Sequence, residues 1–277
     1  MIPNPAVDVP VQGEGIIVIP ARYASSRYPG KPLALLRGAT GIAQPLIARS
    51  IAAARSARLP LPLHIATDDD RIAAAVQALG EQPVLTPASC LNGTERVAAA
   101  IEALAISPSY AINFQGDALL TPPQFVAALA DWMERHPDCA VATVAVPCSA
   151  SVYAHLVIDQ AAGRSGGTTV VVDSKGRALY FSKRVLPFMG GPPLEGAIPV
   201  LLHLGLYAYR PEALQRYRAL PPSPAELAEG LEQLRFLHHG IPIDVVVLDA
   251  PDWDPIELNN PSDLAPIEAI LAARGLA

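Results

Sequence analysis

The chain has 277 residues, 51% of them hydrophobic and 17% charged, with a formal net charge of −6. Such a composition belongs to a globular chain rather than a disordered one, and its acidic balance argues against coating nucleic acid. Three cysteines without a C-x-x-C pair read as reduced, buried thiols, and neither a leader at the amino terminus nor an apolar run of the roughly 18 residues that span a bilayer is visible, so a cytoplasmic protein that meets no membrane is expected.

In chain order, residues 15–20 form a short apolar run ending in proline, the pattern of a buried parallel strand. The following loop carries Arg22, Arg27 and Lys31 among small residues and Gly30. A helix is expected over 45–58, a strand over 61–70 ending in acids, and a helix over 71–80 stopped by Gly80. A third strand (83–87) and helix (92–104) follow, then a strand at 110–117, a helix at 122–136 and a strand at 140–147. Residues 149–167 read as an irregular connection. Residues 168–183 read as two strands around a Ser-Lys-Gly turn, and 188–199 as a mobile loop. A buried strand (200–210), helices at 211–220 and 225–239, a strand at 243–249 and a closing helix at 261–274 complete the chain.

Strands alternating with helices over the first 147 residues predict a parallel α/β sheet. Ligands of such sheets sit beyond the carboxyl ends of the strands. The loop from Arg22 to Lys31, Asp68, and the stretch from Gln115 to Asp117 all follow strands and are expected to converge there. The opening loop can cradle phosphate through backbone amides and charge-assisted bonds from its three cations, stabilising charge as pyrophosphate leaves; a solvated basic loop is the alternative. Asp117 suits a hard cation such as Mg²⁺, which takes one or two carboxylates plus phosphate oxygens, or is a simple turn aspartate. Around 256–264, a strand-to-helix junction, Asn259 and Asp263 offer further oxygens, although Asp263 serves equally as a first-turn helix acid. His203 reads from its apolar strand as a core histidine. Tyr180, Phe181, Tyr207 and Tyr209 read as core or subunit-contact aromatics, and His238-His239 as a helix end.

Seven segments in one order, IIVIPARYASSRYPGKPL, IATDD, NGTERVAAAIE, NFQGD, ALYFSKRVLPF, HLGLYAYR and SPAELAEGLEQLRFLHHG, resemble the 3-deoxy-manno-octulosonate cytidylyltransferase (CMP-Kdo synthetase) family over about residues 15–273. The resemblance implies a Rossmann-like α/β nucleotidyltransferase fold with a mostly parallel central sheet. It implies one domain over 1–277, with a nucleotide-binding part at about 15–147 and a smaller sugar-binding and dimerisation lobe at about 165–245. It implies transfer of CMP from CTP to the anomeric hydroxyl of an acidic eight-carbon sugar, with Mg²⁺ as cofactor and a homodimer as the assembly. By match, Arg22, Arg27, Lys31 and Asp117 are catalytic. Pro20, Ala21, Arg22, Lys31, Asn92, Gly93, Thr94, Arg96 and Gln115 bind the nucleotide. His203, Tyr207, Glu232 and Gln233 line the sugar, and Asp117 with Asn259 holds the metal.

Four departures stand out. The family's Q-G-D-E-P reads Gln115-Gly116-Asp117-Ala118-Leu119, and asparagine stands at 259 in place of the family's aspartate. Leu202 replaces an arginine before the histidine, and the stretch from Gly167 to Val171 lacks the family's lysine; the loop over 37–44 is longer. Two missing cations suggest a different carboxylated acceptor, and Ala118 with Asn259 suggests a catalytically impaired CTP-binding paralogue. Both stay open beside the main reading. A dehydrogenase on the same plan would need a G-x-G-x-x-G after the first strand, which is absent.

Overall fold

The computed structural model of the chain describes residues 14–24, 28–163, 167–190 and 198–276. Strand β1 (Ile16–Ala21) is buried along nearly its whole length, and its side chains alternate between two cores. Ile16 and Val18 enter one with α3 (Gly93–Leu104) and α6 (Pro211–Ala219). Ile17, Ile19 and Ala21 enter the other with α1 (Leu46–Ser56), α2 (Asp70–Ala78) and α4 (Pro123–Arg135). A sheet covered on both faces is the arrangement a near-continuous apolar strand demands.

In the sheet, β1 pairs in parallel with β4 (Leu63–Thr67) and β6 (Ala111–Phe114), and β4 with β5 (Pro83–Leu85). Beyond β6 lies β10 (Leu201–Tyr209), antiparallel to β6 on one side and to β7 (Val141–Pro147) on the other. Strand β11 (Ile243–Val247) then adds to β7 in parallel, giving the order β11-β7-β10-β6-β1-β4-β5. The start of β10 also pairs with β8 (Thr168–Val172), which forms a hairpin with β9 (Ala178–Ser182). The expected α/β class and mostly parallel centre are therefore present, with one antiparallel strand wedged in.

Local readings differ in four places. The expected irregular connection after Ser149 is helix α5 (Ala150–Ala161), started by the Ser149 hydroxyl accepting from the Val152 amide; the glycines that suggested a loop begin only at Gly163. The expected helix over 225–239 is two short ones, α7 (Pro224–Glu229) and α8 (Leu234–His238), divided at Gly230, whose φ of 63° ends the first. The long loop over 37–44 is the tip of a hairpin of β2 (Leu35–Arg37) and β3 (Ala43–Pro45). No strand forms at the junction over 256–264 that leads into the last helix, α9 (Leu264–Ala273); a 3-10 turn at Pro261–Asp263 enters it instead. Most of the loop expected to be mobile, residues 191–197, lies outside the described residues. Cys139 and Cys148 are buried free thiols, pushed up to about 12 and about 11 chiefly by burial. Among the described residues no helix is long and apolar enough to cross a membrane.

Candidate active site

The carboxyl ends of β1 and β6 lie close enough that a Cβ on Gly116 would stand 2.7 Å from the Pro20 carbonyl oxygen. Only glycine fits there. That approach carries Asp117 to the opening loop, where its carboxylate pairs with the Lys31 ammonium, both groups mostly buried. Lys31 opens a 3-10 turn, Lys31–Leu33, entered through Gly30 at φ 70° with its amide bonded to the Tyr23 carbonyl. Pro20 and Ala21 close β1; beyond them Arg22 is exposed and donates to the Leu91 carbonyl at 3.2 Å, reaching the start of α3. Arg27 lies outside the described residues.

Helix α3 begins beside the same strand ends. The Asn92 side chain caps it by accepting from the Glu95 amide at 2.9 Å, and its own amide donates to the Tyr217 hydroxyl. Gly93 faces Gln115, whose Nε2 lies 3.1 Å from where a Cβ would be. Thr94 is fully buried, with its hydroxyl on the Tyr209 hydroxyl and its backbone N–H donating to Glu232 at 3.2 Å. Arg96, also buried, donates to Thr86 at 2.7 Å and pairs with Asp68 at 3.2 Å, tying α3 to the ends of β4 and β5. Thr94 and Arg96 thus have protein partners on the inner side of the helix, while Gln115 and Gly93 face each other at its start.

Across β10, the buried His203 Nε2 lies 2.9 Å from the Thr143 hydroxyl, which itself donates to the Leu206 carbonyl. A hydroxyl has one proton, so Nε2 is the protonated nitrogen. Burial lowers this ring to about 3, so it is neutral, edge-on to Phe181 and beside Tyr207. Glu232 and Gln233 sit in the turn between α7 and α8. Burial pushes Glu232 up to about 7, against the opposing bond from Thr94. The Gln233 Nε2 is buried without a hydrogen-bond partner in the chain, a donor available to a ligand.

The departures from the family pattern resolve unevenly. Leu202 and Thr169 are register partners between β10 and β8. Leu202 joins the cluster of Cys148, Leu156 and Val200, and adjacent strand residues point to opposite faces, so it turns away from His203. Val170, in the place of the family's lysine, lies instead on the other face, in one cluster with Phe181 and Tyr207, the two rings that flank His203. In the segment before α9, Leu258 is buried and its amide donates to the Asp117 carbonyl at 3.2 Å, setting Asn259 beside the aspartate turn. Asp263 accepts from the backbone amides of Asn259 and Asn260 at 2.9 and 2.7 Å, making it a cap rather than a metal ligand. Glu257, absent from the sequence expectations, also belongs to this region, and its only signal was an acid two positions before Asn259.

Among the described residues no three His, Cys, Asp or Glu side chains gather as a metal cage. Asp117 with an amide oxygen at 259 is a sparse, hard-oxygen donor set. It fits Mg²⁺, which completes its shell with phosphate and water, and does not fit zinc.

The family model described as "Cytidylyltransferase" matches residues 16–243. A 3-deoxy-manno-octulosonate cytidylyltransferase from Maricaulis maris is 42% identical over 260 residues, covering 94% of this chain and 98% of the relative. That of Dichelobacter nodosus is 39% identical, covering 92% and 96%. A solved structure of CMP:2-keto-3-deoxy-manno-octonic acid synthetase complexed with CTP superposes with TM-score 0.78 at 33% identity, covering 95% of this chain and all of that one. A Methanothermobacter nucleotidyl transferase, 13% identical with TM-score 0.56, shares the fold. A likeness of that degree over more than nine tenths of the chain makes this chain a member of the 3-deoxy-manno-octulosonate cytidylyltransferase family and hence a nucleotidyltransferase.

Proposed function

We propose that the chain transfers CMP from CTP to the anomeric hydroxyl of 3-deoxy-manno-octulosonate and releases pyrophosphate. The carrying observation is the Lys31–Asp117 pair, which sets a phosphate-binding ammonium against a cation-binding carboxylate at the ends of β1 and β6. Lys31, Arg22 and Arg27 hold the triphosphate, and Gln115 with the start of α3 holds the nucleoside. Pro20 and Ala21 supply the backbone edge. Asn92, Thr94 and Arg96 act as positioning residues, since their side chains fix α3 to its neighbours. Glu232, Gln233, His203 and Tyr207 line the sugar, in a lobe over about 165–245. There Gln233 gives an N–H donor, and neutral His203 adds no charge.

The sugar hydroxyl attacks the α-phosphorus in line. As that bond forms, the bond to the β-phosphate oxygen breaks, pyrophosphate leaves with the electron pair and the hydroxyl proton is released. Positioning and charge neutralisation carry the rate, with no covalent protein nucleophile. Mg²⁺ held by Asp117 and Asn259 together with phosphate oxygens would draw charge from the phosphates. The exposed Leu179, Tyr180 and Phe188 on and after β9 support a homodimer, and the cytoplasm is the compartment we propose for the reaction.

Pyrophosphate release from each of four nucleoside triphosphates with Mg²⁺, across a panel of acidic sugars, tests this. Turnover is expected with CTP and 3-deoxy-manno-octulosonate. Turnover with UTP and a phosphosugar would sink the assignment, preference for another carboxylated sugar would change the acceptor, and CTP binding without turnover would identify an inactive paralogue.

A further inference from the structure

Asn259 brings no charge to the cation site, yet its own segment delivers a carboxylate two residues earlier. Glu257 and Asn259 flank Leu258, which is buried and held to the turn of Asp117 by its amide. Strand β10 is bulged between Leu204 and Tyr207, and Gly205 in that bulge leaves space. A Cβ at Gly205 would stand 3.0 Å from Glu257 Oε1 and 3.5 Å from Gln115 Cγ. The carboxylate therefore lies over the bulge beside Gln115, two residues before Asp117. The segment's other acid, Asp263, is engaged by two backbone amides. Lys31 already balances Asp117.

We propose that Glu257 supplies the second carboxylate of the divalent-cation site, taking over the charge that an aspartate at position 259 would carry. The inference rests on the proposed metal-assisted transfer. A cation that binds through one or two carboxylates and phosphate oxygens tolerates such a relocation, because ligand charge near the phosphates matters more than a fixed position in the chain. Gly205 keeps that position open, since a Cβ there would stand 3.0 Å from the carboxylate.

The test is Mn²⁺ titrated into the full chain saturated with CTP and without acceptor, followed by water-proton relaxation enhancement. Glu257→Gln is expected to weaken Mn²⁺ by about tenfold, the lower end of what loss of a metal-site partner costs. Glu257→Asp should fall between, and Asn259→Asp placed in the Glu257→Gln chain should recover the affinity. Asp117→Asn is the reference, with circular dichroism confirming that every variant is folded. If Asp117→Asn weakens Mn²⁺ while Glu257→Gln binds like the unaltered chain, the role of Glu257 is overturned and the proposed reaction stands. If Asp117→Asn changes nothing, the cation site itself is overturned and Glu257 with it.

Discussion

Lys31 is the residue whose chemistry is most sharply defined. Its ammonium is mostly buried yet reaches Asp117 at the mouth of two strands, so its loss should affect the reaction more than the fold. Lys31→Ala is expected to lower kcat/KM by about 10²–10³, as removing one charge-stabilising donor does. It should cost less stability than the about 3–5 kcal/mol lost when a fully buried pair is broken, because both groups keep some contact with solvent. A large fall in Tm with little effect on rate would assign Lys31 a structural role instead. Glu232 offers a second residue-scale test. Its folded-state value, raised by burial to about 7 from an ordinary 4.5, favours the protonated form in the native state. Its stabilising contribution is therefore complete below about pH 4.5 and is lost as pH rises through about 7. Glu232→Gln should remove that component, so the Tm difference between variant and unaltered chain should change between pH 5 and 8 and level off above. Parallel Tm curves across that range would refute the raised carboxyl.

At the scale of elements, the turn between α7 and α8 is held by one buried arginine. Arg235 on α8 donates Nε and one terminal nitrogen to Glu226 of α7 at 2.9 and 2.6 Å, and the other to Glu95 of α3 at 3.1 Å. Its guanidinium lies 4.1 Å over the ring of Tyr217 in α6. Four helices thus meet on a planar fork, and the turn bearing Glu232 and Gln233 is fixed between two of them. Arg235→Ala leaves Glu226 buried and unpaired, and should cost about 3–5 kcal/mol in urea unfolding. Arg235→Lys should recover only part, because a point charge cannot form the bidentate pair and the stack together. Equal stability of the lysine variant and the original would show that charge alone suffices. Ser223 and Glu226 also form a reciprocal cap at the start of α7, so the same glutamate serves helix initiation and the clamp.

Across the whole molecule, β10 ties the β8–β9 hairpin to the central sheet. It lies between β6 and β7, while its first residues carry the β8–β9 hairpin. The C-terminal segment returns as well, with Leu258 bonded to the Asp117 turn and the Trp253 indole donating to the Leu120 carbonyl at 2.9 Å. A shared sheet predicts cooperative unfolding. Fluorescence from Trp132 in α4 and from Trp253, each isolated by replacing the other with Phe, should report the same urea midpoint as circular dichroism. An earlier transition at Trp253 would mean that the C-terminal segment unfolds before the sheet and separately from it.

The local pattern determined much of this protein. Apolar runs capped by proline or glycine located the strands and helices of the first 147 residues, because burial on two faces and helical periodicity leave a signature in neighbouring residues. The motifs NFQGD and IIVIPARYASSRYPGKPL likewise located Lys31 and Asp117, because each sits directly after a strand. Tertiary structure decided what those residues meet. Gly116 permits the Pro20 contact that brings Asp117 to Lys31, an approach between segments far apart in sequence. Strand alternation turns Leu202 away from His203 although the two are adjacent, and the Gly205 bulge makes room for Glu257, which no motif marked. Periodicity is a property of neighbours in the chain; which carboxylate reaches which cation depends on sheet order and on the places where a missing side chain lets two backbones close.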